Sequence, residues 1–337
     1  MGYRLILFAL LIPFFAAAQT GGQTSYTFTN IPSNARLVGL GGVNVSLANE
    51  DVNLAFSNPA LSGDTLSGLA SFSYLDYFAD AGIVTAIYQH DFGKFGSWFL
   101  GVNHLDYGEF DSYDATGADL GSFDAGETQL ILGSNHTIGV FTLGASLKFL
   151  NSNIGGFSSS ALALDMGGIF NHPTKQFTVG LVFKNVGVIL SDYSDASDSR
   201  LPFDIHVGTT IKPEYMPFRF SLTGYNLTDG DIAYFDPNNS SDEEEPGALD
   251  KVLRHVNVGV ELLLSKNINL RFGYNHLVRQ ELKLPDTGGG AGFSYGLMFK
   301  VKAFEFSYSR GGYHAAGGSN SFTLTANTNK FFKNRRS

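Results

Sequence analysis

The chain has no cysteine, one tryptophan, and few charged residues, 16% of 337. Without cysteine there is no disulfide framework, no thiol nucleophile and no lipid-modified N-terminal Cys. The eight histidines are scattered, with no His-Glu-x-x-His spacing for a metal. Gly41-Gly42 is not followed by Gly-Lys-Ser/Thr, so it is not a phosphate loop. Asp and Glu (31) outnumber Lys and Arg (22), and no basic stripe is present, which argues against nucleic-acid binding. Beyond the N-terminus no stretch approaches the ~20 apolar residues of a membrane-spanning helix. No catalytic constellation emerges, so the chain is expected to be no enzyme, with no cofactor and no metal site.

What is abundant is Gly (40), Phe (30) and Tyr (15), with a mean hydropathy near zero. From Gly68 to Asn327 the pattern is a two-residue alternation. Ile268, Leu270, Phe272 and Tyr274 fall on one face; Asn269, Arg271, Gly273 and Asn275 fall on the other. Side chains of a strand alternate faces, so one face of the sheet is apolar and one polar. Strands are expected at 68–78, 82–91, 95–107, 126–137, 140–151, 158–171, 176–190, 202–212, 217–229, 253–264, 267–280, 291–301, 303–311 and 319–328. Tight turns alternate with longer polar connections, except for a short first one near Ala79 to Ala81. Short turns on one side and long loops on the other mark a membrane barrel. The expected fold is all-β, a 14-stranded antiparallel transmembrane β-barrel in an outer membrane. An even strand count implies both termini on the periplasmic side and loops at the cell surface.

Four regions follow: a signal peptide at 1–18, a plug at 19–66, the barrel at 67–328 and a basic periplasmic tail at 329–337. The signal is Arg4, an apolar run from Leu5 to Phe15, then Ala16-Ala17-Ala18. The plug segment is rich in small residues and alternates poorly. Some forty residues of this kind need other structure to pack against.

On the polar faces of seven consecutive strands Lys148, Asp165, Lys184, Asp204, Arg219, Glu261 and Arg271 alternate in sign. They are expected to form two tiers of lumen ion pairs, since opposite charges on neighbouring strands attract. If partly solvated, each pair contributes only ~0.5 kcal/mol. The lumen would then be crowded and polar, short of apolar clusters. His206 is expected to be a hydrogen-bonding lumen residue. Acidic loops gather Asp192, Asp195 and Asp198, and then Asp231, Asp236, Asp242, Glu243, Glu244, Glu245 and Asp250. Such runs are solvated surface, a docking face, or divalent-cation bridges to anionic lipopolysaccharide. The loop from Gly108 to Ala125 is the better docking candidate. Tyr107, Phe110, Tyr113 and Phe123 mix aromatic anchors with Asp and Gly.

The run Ala35-Arg36, Gly39-Leu40-Gly41-Gly42, Glu50-Asp51 and Asn58-Pro59-Ala60 resembles the N-terminal hatch of the FadL-like outer-membrane barrel superfamily. That resemblance implies a hatch plugging the lumen of a fourteen-stranded barrel, built on Arg36, Gly41, Gly42, Asn58, Pro59 and Ala60. Asn58-Pro59 is expected to form a stiff turn through restricted backbone angles. Further stretches resemble the PorV/PorQ group of type IX secretion barrels of Bacteroidota. Among them are Leu75-Asp76-Tyr77-Phe78-Ala79-Asp80, Gly121-Ser122-Phe123-Asp124-Ala125-Gly126-Glu127 and Gly180-Leu181-Val182-Phe183-Lys184-Asn185-Val186-Gly187. This resemblance implies a non-enzymatic anchor of a surface attachment complex. Its partners would be a PorZ-like surface protein, a PorU-like sortase, a PorV-like barrel and outer-membrane lipid. The alternative is a FadL-like transporter of hydrophobic small molecules.

Overall fold

The computed structural model describes residues 24–48, 50–78, 81–233, 246–283, 289–314 and 317–332. The expected signal segment, the run Asp242–Glu245 and the tail beyond Phe332 lie outside them.

Fourteen strands close on themselves in sequence order, each antiparallel to its neighbours. They are β1 (Leu69–Asp76), β2 (Gly82–Asp91), β3 (Ser97–Tyr113), β4 (Asp119–Ile138), β5 (Phe141–Ile154), β6 (Phe157–Asn171) and β7 (Phe177–Ser191). The rest are β8 (Asp204–Ile211), β9 (Phe218–Gly224), β10 (Val256–Leu263), β11 (Ile268–Asn275), β12 (Phe293–Val301), β13 (Phe304–His314) and β14 (Gly317–Asn327). Closure pairs β1 with β14, Leu69 opposite Asn327, which leaves no free sheet edge. Strand alternation decides what each side chain meets. On β11, Ile268 and Phe272 face outward, while Asn269, Arg271, Gly273 and Asn275 are buried inside. Outward Phe72, Leu100, Leu147, Phe272, Tyr295 and Phe322 are 40–60% exposed in an apolar girdle. An apolar outer band around a closed polar-faced barrel is a bilayer-spanning wall.

The wall is uneven. β3 and β4 have 17 and 20 residues, and β5 to β7 have 14 to 15, whereas β8 to β11 have 7 or 8. A membrane strand needs about 9–11 residues. One side therefore rises above the girdle as paired sheet. The segment Gly108 to Ala125, expected as a loop, is largely a β3–β4 hairpin with its tip at Asp114–Ala118. The expected connection from Asn151 to Phe157 likewise shrinks to Gly155-Gly156. On the opposite side the long connections carry helices α1 (Ala248–Arg254), mostly within the expected connection Gly230 to Lys251, and α2 (His276–Leu282), where the expected strand ran on to 280. Asp250 joins them, bonded to Arg254 and His276 at 2.8 Å each. Burial raises the Asp250 pKa, but these two hydrogen bonds outweigh it and hold the carboxyl below its ordinary range.

Residues 24–48 and 50–66 fill the barrel. Ser25 N–H donates to Arg200 O in the long β7–β8 connection, and Tyr26 Oη lies 2.6 Å from Ser159 Oγ. After Leu66 the chain leaves at the opposite end, where Gly68 N–H donates to Gln89 O. The barrel strands thus begin and end at the short-turn side, but the plug starts at the long-loop side. The expectation that both chain ends share the short-turn side does not follow from strand parity, because the plug crosses the full lumen.

Candidate functional site

The plug is held by local caps and by contacts to every side of the wall. In helix αP (Ala35–Gly39), Asn34 Oδ1 accepts from Leu37 N–H at the N-terminus. This short helix sits on β11 to β14, and room for it comes from small inward side chains of β12 to β14: Ser294, Ser307, Ser309, Ser321 and Thr323 are all buried. Ala35 N–H donates to Thr323 Oγ1 at 2.9 Å. Gly41 and Gly42 follow with φ of 92° and 102°, a left-handed turn natural to glycine. Asn257 Nδ2 donates to Leu40 O and Val43 O across that turn.

Asn58 precedes Pro59, which restricts it to extended backbone. Its backbone is ordinary and extended, φ −155° and ψ 115°. Its side chain does the work: Oδ1 accepts from Ala60 N–H at 3.0 Å and Nδ2 donates to Val45 O at 3.0 Å. Pro59 then starts a 3-10 turn (Pro59–Leu61), a position that needs no N–H. The turn lies flat on β5 and β6. A Cβ on Gly144 would strike the backbone of Pro59 and Ala60, and one on Gly167 would strike Asn58. Close approach of two backbones is the reason for glycine here.

The lower charged tier centres on Glu261, which is 1% exposed. Arg36 from αP reaches it at 2.8 Å, Arg219 at 2.9 Å, and Arg271 Nε at 3.4 Å. Arg219 also binds Glu50 of the plug at 2.7 Å. Register explains the wall part, since Arg219 and Arg271 both stand opposite Glu261. What the alternation missed is the fourth member. Arg36 joins plug to wall, so this tier is a latch as much as a wall ladder.

In the upper tier Lys148 and Asp165 form a pair at 2.5 Å, both fully buried. Lys184 and Asp204 stand opposite each other in register, but the expected ion pair between them is not formed. Asp204 bonds His206 Nε2 at 2.6 Å and accepts from Ile205 and Asn226 N–H groups instead. Asn185, at φ 57°, forms a bulge that inserts its N–H onto Asp165, and its side chain accepts from Lys148. Lys184, 5% exposed, has no ion-pair partner among the described residues. It lines a cavity of about 30 Å³ with His206, Asn103, Gln129 and Ser57. The pairs are buried, so the small energy of a solvated pair does not apply to them.

The lumen is also less uniformly polar than expected. At the long-loop end Tyr26 and Phe28 of the plug pack against Leu75, Ile83, Leu105, Leu150, Ala161 and Ala163. Deeper clusters surround Leu37, Leu40 and Leu54, and Val52 and Phe56. Plug residues supply three of the ten buried members of the first cluster, six of seven in the second and three of six in the third, which no strand pattern could reveal.

Of the expected docking residues, Tyr107 turns inward. Its hydroxyl donates to Glu127 at 2.7 Å, and its ring packs on the Tyr26 cluster. Phe110, Phe123 and Tyr113 remain 43%, 36% and 59% exposed.

No family model and no curated protein matches the sequence. Solved structures similar to it include the Ralstonia pickettii toluene transporter TbuX, at 10% identity and TM-score 0.48, over 88% of this chain and 98% of that one. A Pseudomonas aeruginosa FadL homologue follows at 11% and 0.47, over 88% and 98%. The monoaromatic hydrocarbon channel TodX follows at 13% and 0.49, over 87% and 96%. At this distance the likeness assigns no cargo, and the barrel rests on its own strand pairing.

Proposed function

We propose that this protein is a plugged, non-enzymatic outer-membrane barrel that works as a membrane anchor at its outer rim. The observation carrying this reading is the closed interior. The plug packs closely on β5 and β6 at Asn58 to Ala60, is bonded to β10 through Arg36 and to β14 through Ala35, and the cavity beside Lys184 is only about 30 Å³. Such a lumen suits a support better than a pore. In the finer reading the barrel anchors a type IX attachment complex, with a PorZ-like surface protein, a PorU-like sortase and a PorV-like barrel. That part is supported by the sequence resemblance alone.

Transport of hydrophobic small molecules is the second reading, and one observation favours it. The apolar cluster at the long-loop end is filled by Tyr26 and Phe28, side chains at the start of the plug. A hydrophobic solute could occupy that space if these two rings withdrew. Affinity purification of the tagged barrel from mildly cross-linked outer membranes separates the readings. Stoichiometric recovery of a surface protein supports the anchor. Recovery of a bound lipid or aromatic solute without protein, together with faster uptake by a Tyr26→Ala, Phe28→Ala variant, would replace it with transport.

A further inference from the structure

The short turns at one end of the wall share a charge. Lys94 lies in the β2–β3 turn, Lys175 in β6–β7, Lys212 in β8–β9, Lys266 in β10–β11 and Lys302 in β12–β13. Lys330 adds a sixth, on the short helix Asn329–Phe332 that follows β14. Of the short turns, the β4–β5 turn Gly139-Val140 is the one without a lysine. Lys212 is half-buried and the other five are exposed. The lysine ion pairs among the described residues involve Lys148, Lys251 and Lys300 instead. Because the strands close in sequence order, the six cations are spread round the barrel rather than gathered on one side. Glu214 is the acidic residue in these turns. Asp91 and Glu305, at the same end, share the lumen face with buried Gln89 and Ser307 of their own strands.

Apolar side chains accompany the lysines. Phe95 beside Lys94, Tyr215 near Lys212, Leu264 near Lys266, Val301 beside Lys302 and Phe331 beside Lys330 are 47–91% exposed. Phe331 packs on outward Phe304, ring centroids 5.4 Å apart, so it extends the lipid-facing girdle. A lysine with its stem on such a surface carries its ammonium to headgroup level. The opposite end has the other sign. Asp106, Glu109, Asp111, Asp114, Asp119 and Asp124 sit on the β3–β4 hairpin, which has no Lys or Arg. Short turns mark the periplasmic side of an outer-membrane barrel.

We propose that the short-turn rim is a lysine ring that binds the phosphate headgroups of anionic glycerophospholipids in the adjoining leaflet. Juxtamembrane lysines are attracted to anionic lipid over a Debye length. A lipid annulus touches the wall on every side, as these lysines do, whereas a docked protein would meet one side. Such a ring would serve an anchor and a transporter alike.

The test uses the full-length barrel in lipid vesicles. Spin-labelled phosphatidylglycerol and phosphatidylcholine are compared for the fraction held at the wall. Wild type should prefer phosphatidylglycerol by about fivefold at low salt, the effect of one lysine at an anionic surface. High salt should shrink that preference. Replacing all six lysines by glutamine should bring it close to equality. Lys175→Gln with Lys212→Gln and Lys266→Gln, on one side of the wall, should give an intermediate value. Asp111→Asn with Asp119→Asn, at the other end, should leave it unchanged. Folding is checked by heat-dependent gel mobility, and the three-lysine variant decides alone if the sixfold one does not fold. Equal contact of the two lipids with wild type overturns the proposal, as does a preference that survives the lysine replacements. A stronger preference for a lipid A-type phosphoglycolipid, lost with the same lysines, also overturns it, because the ring would then serve the other leaflet. So does loss of a co-purifying acidic protein from the lysine variants with lipid contact unchanged.

Discussion

Glu261 is the residue on which the plug latch depends most. It is 1% exposed, and it is the shared carboxylate of Arg36, Arg219 and Arg271. Changing Glu261→Gln keeps the shape and removes the charge. Three guanidinium groups are then left around a neutral amide, with Glu50 the remaining ion-pair partner of Arg36 and Arg219 among the described residues. Removing one member of a buried ion pair costs about 3–5 kcal/mol. The strand ladder does not pass through this side chain, so the cost should fall on plug attachment. Arg36→Met should be milder, because Glu261 keeps two arginines. The chain has no cysteine, so Ala55→Cys in the fully buried plug core provides a single reporter thiol. If plug opening limits thiol labelling, a loss of ~3 kcal/mol speeds it about a hundredfold, at tenfold per 1.4 kcal/mol. The expected order of labelling rates is wild type, then Arg36→Met, then Glu261→Gln, with heat-modifiable gel mobility retained. Labelling of Glu261→Gln within about threefold of wild type would refute the latch.

Three further outcomes can be measured. A Cβ at Gly273 would meet the backbone of Leu40 and Gly41, which cannot rotate aside, so Gly273→Ala should cost ~1–3 kcal/mol in denaturant unfolding. Gly230→Ala, with no neighbour within 4 Å, should be neutral. Lys184→Met removes a buried charge that has no ion-pair partner among the described residues, and should leave the melting temperature unchanged or raise it. A fall of several degrees would mean that Lys184 is satisfied after all. The Asp250 carboxyl is held below its ordinary value, so its contribution is present above the unfolded pKa of about 3.8 and is lost as pH falls through the folded one. Amide exchange in α1 and α2 should therefore stay protected down to about pH 4 and rise below it; protection already lost near pH 6 would assign the coupling to another group.

The division between sequence and tertiary structure follows from the range of each signal. A strand's two-residue period is local, so the chain by itself determined which side chains face lipid and which face the lumen. Ile268 to Asn275 shows this residue by residue. Alternating connection lengths likewise determined the two ends of the barrel, and the charges on β5 to β11 were legible as an inward set. Partner choice is non-local. Whether Lys184 meets Asp204 depended on the Asn185 bulge and on His206 taking the carboxylate. Whether Glu261 served the wall or the plug depended on where αP brought Arg36. The plug has no repeating period, because it is shaped by the cavity it fills. Its direction through the lumen, its shares of the apolar clusters and its close backbone approach to Gly144 and Gly273 were therefore decided only in three dimensions. The same holds for the β3–β4 hairpin. Gly and Asp in its sequence signal a loop, but pairing with the neighbouring strand kept it extended and turned Phe110 and Phe123 over the mouth.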